Sequence, residues 1–499
     1  MKRAVLLSLL GSWAMLSFGS AALADALVDW PLTPGEPSWY RVSLQGRPAG
    51  YLYSTLRFVS VQDGGQLLEA TQRLRLKVTV SGIPVTIEAD TSTRYDRELR
   101  PLAIRAHINK LGVIAQSSCR WAGEALHMVT TEGSQRREQT IPVPADYGSD
   151  LPTLLAIARG EVKPGESRSV TIFDPQVGAL DKLTITNVSS GEPRTFMVDG
   201  RPVAAKPVCE RSENLGVGSL LWLTAEGEMV CLEMPELMEA VAEKVTEAEA
   251  LAELTPLVLS NSIILDRELP ASRTLQSLTL QAQATTQEVT DLIPTTARQR
   301  VEGSGLEARI LLRAQPSPGQ TLPLPLKREG FESDLQSTPL APVDNPRLRD
   351  LAGQITAGQT DSYQAALAVS HWVYQNLQKV ESHPSPINAL QILDQMRGDC
   401  SEHALLAAAL CRAAGIPARM VTGLAAQRNK VYYHAWLEVY VGEWVELDPT
   451  WKENLVDAGH LRLADSDLDP LSFMRMNLET GRTLGALRLQ VLDFQTVGG

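Results

Sequence analysis

Cysteine is scarce and odd in number, with five in 499 residues, and because disulfides consume thiols in pairs at least one stays unpaired. Cys400 and Cys411 cannot join if they share a helix, since the spacing puts them roughly 16 Å apart, beyond disulfide reach. Cys209 with Cys231 remains the candidate bridge, and free buried thiols are the alternative. Basic charge is also in deficit: 46 Lys and Arg stand against 58 Asp and Glu, a formal net charge of -12. No dense Lys/Arg stripe reverses that locally, which argues against nucleic acid or anionic lipid as partners. After the amino terminus no apolar run is long enough to span a membrane as a helix. Cys-x-x-Cys, His-Glu-x-x-His and a calcium-type acidic loop are all missing, so no metal or other cofactor is expected. No internal repeat is evident.

What is present begins with Lys2 and Arg3, an apolar run over 4–18 and the small-residue site Ala22-Leu23-Ala24. That pattern predicts a secretory signal peptide over 1–24, and hence a periplasmic or secreted protein. No cysteine at the cleavage point suggests a lipid-modified terminus. Removing the leader takes away two basic residues, leaving 44 against 58 and a net charge of -14. A hydrophobic share of 44% and a charged share of 21% are those of globular chains, and the length suggests several domains.

From 39 to 231 short alternating segments are separated by turns, with Leu74, Leu76, Val78 and Val80 set against Arg73, Arg75, Lys77 and Thr79. This predicts antiparallel β-structure over 25–250. A helix is expected at 150–159, and a hairpin at Leu221-Trp222-Leu223 with Met229-Val230-Cys231. The Ala- and Glu-rich stretch 237–254 reads as helix or connector. A second β-rich region is expected over 251–315, then a Pro-rich connector over 316–346 that cannot continue a helix or a central strand. From 347 the period becomes helical, with Leu348, Leu351, Ala352 and Ile355, then Ala366, Val369, Val373 and Leu377. The last domain is placed at 347–499.

The chemistry concentrates there. Gly398-Asp399-Cys400-Ser401-Glu402-His403 opens an Ala/Leu-rich segment that stops at Gly415-Ile416-Pro417, so Cys400 should begin a helix capped by Asp399. A thiol at that end feels the positive pole of the helix, while Asp399 opposes its ionisation and makes a nearby base necessary. The Cys400 N–H is placed to stabilise an oxyanion. His434, in the alternating segment 432–439, is the candidate base, and Asp448, in a second strand over 444–448, the candidate orienting carboxylate. Alternation on both strands predicts a three-residue loop, Val441-Gly442-Glu443, opposing Tyr440 to Trp444 and setting His434 and Asp448 on one face. His403 is expected to hydrogen-bond beside the site. His460 has no motif around it and reads as surface or core, Trp436 as core or a wall of the site. Arg419 and Glu438 read as an ion pair or as substrate contacts.

The blocks Gly-Asp-Cys-Ser-Glu-His-Ala, Arg412 to Arg419, His434-Ala-Trp436-Leu-Glu438 and Trp444 to Asp448-Pro-Thr450 resemble the transglutaminase-like superfamily. The resemblance covers under a third of the chain. It implies an α+β, papain-like cysteine catalytic domain with Cys400, His434 and Asp448 as a triad forming a thioester. The expected protein is therefore multidomain and β-rich in its amino-terminal regions, ending in that domain. The expected activity is a cysteine peptidase or amidase acting on protein or peptide. Protein cross-linking, or a non-catalytic cell-envelope binding protein with an unused triad, are the alternatives.

Overall fold

The computed structural model describes residues 21–23 and 32–497, apart from short stretches at 62–64, 81–82, 111–112, 133–134, 176–177, 190–192, 254–256, 260–261, 271–272, 286, 325, 327–328 and 381–387. The expected leader, other than 21–23, lies outside the described residues. The chain divides into two compact units between Leu259 and Ser260, and β-structure dominates.

The amino-terminal unit is built on one long antiparallel sheet. From Gln135–Pro142 neighbouring strands run back through the chain, hairpin by hairpin, to Ser38–Leu44. Ser38–Leu44 then pairs with Ala240–Val245, and the sheet continues through Met229–Met234, Gly218–Leu223, Arg201–Ser212 and Ala179–Asn187 to Ser167–Asp174. Alternation accounts for the strands: in Ser38–Leu44 every second residue is buried, Tyr40, Val42 and Leu44 completely. Gly50 permits a close approach, since a Cβ there would lie 1.9 Å from the Arg75 carbonyl oxygen. The expected helix is present as Leu151–Ala158 and the expected hairpin as Gly218–Leu223 with Met229–Met234. The stretch 237–254 differs: Ala240–Val245 is a strand, because its alternate residues complete the sheet, and only Glu247–Ala250 is helical, started by a Thr246–Glu249 capping box. Cys209 and Cys231 lie on strands separated by Gly218–Leu223, and neither forms a disulfide.

In the carboxy-terminal unit, Leu275–Ala284, Glu307–Arg313 and Gln299–Ser304 form a four-stranded sheet with the last strand of the chain, Leu487–Thr496. The β region expected by itself over 251–315 thus shares a unit with the carboxy-terminal segment. A second, five-stranded sheet runs Ser262–Ile264, Lys430–Tyr440, Ala418–Gln427, His460–Ser466, with Trp444–Leu447 also on Lys430–Tyr440. Leu280, Ile310 and Leu489 meet Leu424 and Leu461 in one apolar core between the sheets. On Lys430–Tyr440 packs the helix Cys400–Ala413, itself contacted by Pro346–Ile355, Ser362–Asn376 and Ala389–Gln395. The Pro-rich stretch is tied into the same unit by Leu322 N–H to Val441 O (2.8 Å) and Ser362 N–H to Leu322 O (2.9 Å).

Candidate active site

The Cys400 helix starts where its sequence says it should. Asp399 accepts from Ser401 N–H at 2.9 Å, and Glu402 reaches back to Asp399 N–H at 2.8 Å, completing a capping box. Gly398 makes room for that return, since a Cβ there would meet the Glu402 side chain at 2.2 Å. At the other end Gly415 takes φ 80°, and Arg412 donates twice to the Ala418 carbonyl, binding the helix end to the next strand.

The His434 strand and its neighbour have the register read from alternation: Tyr440 opposes Trp444, Val439 opposes Val445 and Leu437 opposes Leu447, around Gly442 at φ 126°. That brings His434 Nε2 to 2.7 Å from Asp448 Oδ2, both side chains buried. The Asp448 carboxyl is held far below its usual range: burial opposes ionisation, and His434 and His460 outweigh it. An ionised acceptor requires His434 Nε2 to carry the proton, which makes Nδ1 the basic nitrogen. Burial, with His460 and Arg273 nearby, depresses the His434 pKa despite Asp448, so the neutral ring is favoured.

The Cys400 thiol meets the backbone N–H of Ala435, the residue after His434. Among the described contacts that amide, rather than a His434 ring nitrogen, is the partner of the sulfur. Burial, and after it the Asp399 carboxylate, pushes the thiol up. The resting sulfur is therefore a thiol rather than a thiolate. His403 donates from Nδ1 to the Asp399 carbonyl at 2.7 Å, beside Cys400 as expected.

Three neighbours were not legible as parts of the site. Trp451 stacks on His434 with centroids 3.9 Å apart and planes 9° apart, and the Arg273 guanidinium sits 3.5 Å above Trp451. His460, completely buried, shares the Asp448 oxygen, with Nε2 at 3.3 Å from Oδ2 and Nδ1 at 3.3 Å from Asp457 Oδ1. Burial disfavours its charge, but Glu453, Asp448 and Asp457 prevail and lift it to about 9, so it is an imidazolium at neutral pH. The single available signal was position, twelve residues after Asp448, with Asp457 between them.

Trp436 is completely buried and donates from Nε1 to Glu446 at 2.8 Å, which makes it core. Glu446 also accepts from Arg298 at 2.6 Å, and these charges bring it down to about 2 against burial. Arg419 and Glu438 oppose each other across strands, yet they do not pair. Arg419 binds Asp334 at 2.7 Å, and Glu438 binds Arg462 at 2.6 Å, because the buried Glu438 and Glu446 face each other and need a cation between them. Two groups have atoms close enough to hold a metal ion, His434 with Asp448 and His460, and Glu453 with Asp457 and His460. Both use His460, whose two N–H donors are already engaged with carboxylates, so His460 offers neither grouping a neutral imidazole ligand.

The carboxy-terminal segment that carries Cys400, His434 and Asp448 overlaps a known family. Residues 349–449 match the transglutaminase-like superfamily. An uncharacterized protein of Mycobacterium leprae is 32% identical over 132 residues, 24% of this chain and 46% of that protein. The chain thus spans about half the length of the curated relative it matches. Among solved structures, a candidate cysteine protease from Cytophaga hutchinsonii is 20% identical, covering 41% of this chain and 80% of that one at TM-score 0.30. A β-barrel-like protein from Brucella abortus is 11% identical, covering 42% of this chain and 95% of that one at TM-score 0.32. The transglutaminase-like match ends one residue past Asp448, so Trp451 and His460 lie beyond it.

Proposed function

We propose that the carboxy-terminal unit is a papain-like cysteine hydrolase, a peptidase or amidase, in which Cys400, His434 and Asp448 act as a triad and the protein works outside the cytoplasm. The observation that carries the reading is the buried 2.7 Å hydrogen bond from His434 Nε2 to an Asp448 carboxylate held ionised. It leaves Nδ1 to take a proton, on a residue whose neighbour in the chain contacts the Cys400 sulfur.

In this mechanism Cys400 Sγ attacks an amide carbonyl carbon as its proton passes to His434 Nδ1. The resulting imidazolium is stabilised by Asp448. The tetrahedral oxyanion receives the Cys400 backbone N–H at the helix start. Collapse breaks the C–N bond, the amine takes the proton from His434, and a thioester remains on Cys400. Water, deprotonated by His434, then hydrolyses the thioester and restores the thiol. The resting thiol suits this sequence, since the charged pair forms only as the acyl donor arrives.

Incubation of the leaderless protein with peptide and glutamine-amide libraries should release new amino termini or ammonia, and Cys400→Ala should remove that release. A labelled primary amine incorporated in place of water would instead identify a cross-linker. An unreactive Cys400, alkylated no faster than Cys411 in the folded protein, would leave only the binding-protein reading. Export rests on the 1–24 pattern and is tested by fractionating cells that express the full chain.

A further inference from the structure

In the amino-terminal unit two adjoining cavities share Asp150, Ile172 and Leu183 as walls. Asp150 stands at the cap position of the helix Leu151–Ala158, yet its carboxylate makes no capping hydrogen bond. It faces Glu210 instead, and both residues are only 4% exposed. Asp150 Oδ2 and Glu210 Oε1 have no donor, and Gln72 Nε2, 4% exposed in the cavity Asp150 also lines, has no acceptor. Asp174 and Asp181 line the second cavity, with Asp181 already held by Ser212 at 2.6 Å and Asn214 N–H at 3.1 Å. Among the described residues no lysine or arginine pairs with Asp150, Glu210 or Asp181. The remaining walls are largely apolar, including Leu215, Val217 and Met234.

Buried carboxylates are ordinarily matched by a cation or by donors. Here one oxygen of each carboxylate, Asp150 Oδ2 and Glu210 Oε1, lacks a donor while a cavity opens beside them. We propose that this cavity binds an aliphatic primary amine of the kind a lysine side chain presents, its ammonium taken by Asp150 and Glu210 and its methylene chain by the apolar walls. A metal ion fits less well, because the groupings of acidic and histidine atoms tight enough for one, among the described residues, occur at His460. Burial supports the assignment: it lifts Asp150 to about 7 and Glu210 well above its usual range, so the pair holds a proton that a bound ammonium displaces.

The test is isothermal titration of the full chain with n-pentylamine, with n-pentanol and calcium chloride as comparison probes. Pentylamine should bind saturably and pentanol should not, since burying the alkyl chain alone leaves the carboxylates unmatched. Asp150→Asn with Glu210→Gln should weaken amine binding at least about tenfold while circular dichroism stays native. Glu210→Gln alone should give a smaller loss in the same direction, which keeps the test decisive if the double variant misfolds. Absence of amine binding, equal binding of pentanol, heat from calcium alone, or full affinity in a folded variant overturns the proposal.

Discussion

Both units bury carboxylates, and one cluster in each treats them in opposite ways. In the carboxy-terminal unit Asp448 lies against two histidines, and Glu446 against Arg298, Arg462 and Trp436, so both stay ionised below their usual range. In the amino-terminal unit Asp150 and Glu210 have each other, and Asp150 also backbone N–H groups, but no cation, and they rise above it. The same burial therefore yields fixed negative charge in one place and a protonated pair in the other. The difference lies in whether the fold supplies cations. A buried ion that is paired and hydrogen-bonded can orient a base; an unmatched pair waits for a proton or a ligand.

The comparison breaks first at catalysis. If the compensated unit is the chemical one, Cys400→Ser should lower amide release about a thousandfold or more in an amine-release assay, and urea midpoints should stay close to those of the parent. Asp448→Asn should reduce the rate less than His434→Ala, since an amide still positions the ring but no longer stabilises the imidazolium; equal small effects in the same assay would remove Asp448 from the triad. Stability comes next. Glu446→Gln leaves Arg298 and Arg462 buried with less compensation and should cost about 3 to 5 kcal/mol in urea unfolding, whereas Asp150→Asn, replacing one member of a protonated pair, should cost less than about 1 kcal/mol or stabilise. A reversal of that order would mean the two acid clusters are not opposites.

The smallest effect is in the pH profile. Asp150, raised to about 7, lends stability that is complete below the unfolded value near 4 and is lost as pH climbs through about 7. Glu446, lowered to about 2, lends stability present above the unfolded value near 4.5 and lost as pH falls toward 2. His460, raised to about 9, contributes fully below 6.5 and loses its contribution as pH rises through 9. Glu453, raised to about 7 in the same unit as Glu446, acts as Asp150 does above about pH 4. It is therefore between about pH 4 and 2 that calorimetry of the full chain should show the carboxy-terminal transition moving downward while the amino-terminal one holds. Parallel movement would show that other groups govern both.

Much of the candidate site was legible because its signals are local. Asp399 and Glu402 cap a helix through neighbours three residues apart, and Gly415 ends it through its own backbone. The hairpin register followed from alternation and loop length, and that register carries His434 to Asp448. The strand at Ala240–Val245 was hidden, because Ala and Glu favour helix and only pairing with Ser38–Leu44, some two hundred residues earlier, overrides them. Arg419 and Glu438 look like partners in sequence and in register, yet Asp334 and Arg462 claim them from other elements.

The sequence by itself determined the elements that carry the reactive residues and the order of those residues, since capping, alternation and turn geometry act over a few positions. Tertiary structure decided what surrounds them. It set Arg273 and Trp451 over His434, placed the charged His460 on the Asp448 oxygen, and delivered Arg298 to Glu446. In the other unit it left Asp150 and Glu210 without a cation. The physical reason is that a buried charge is governed by whichever groups the fold brings within a few ångströms, and that proximity is encoded in no local pattern of residues.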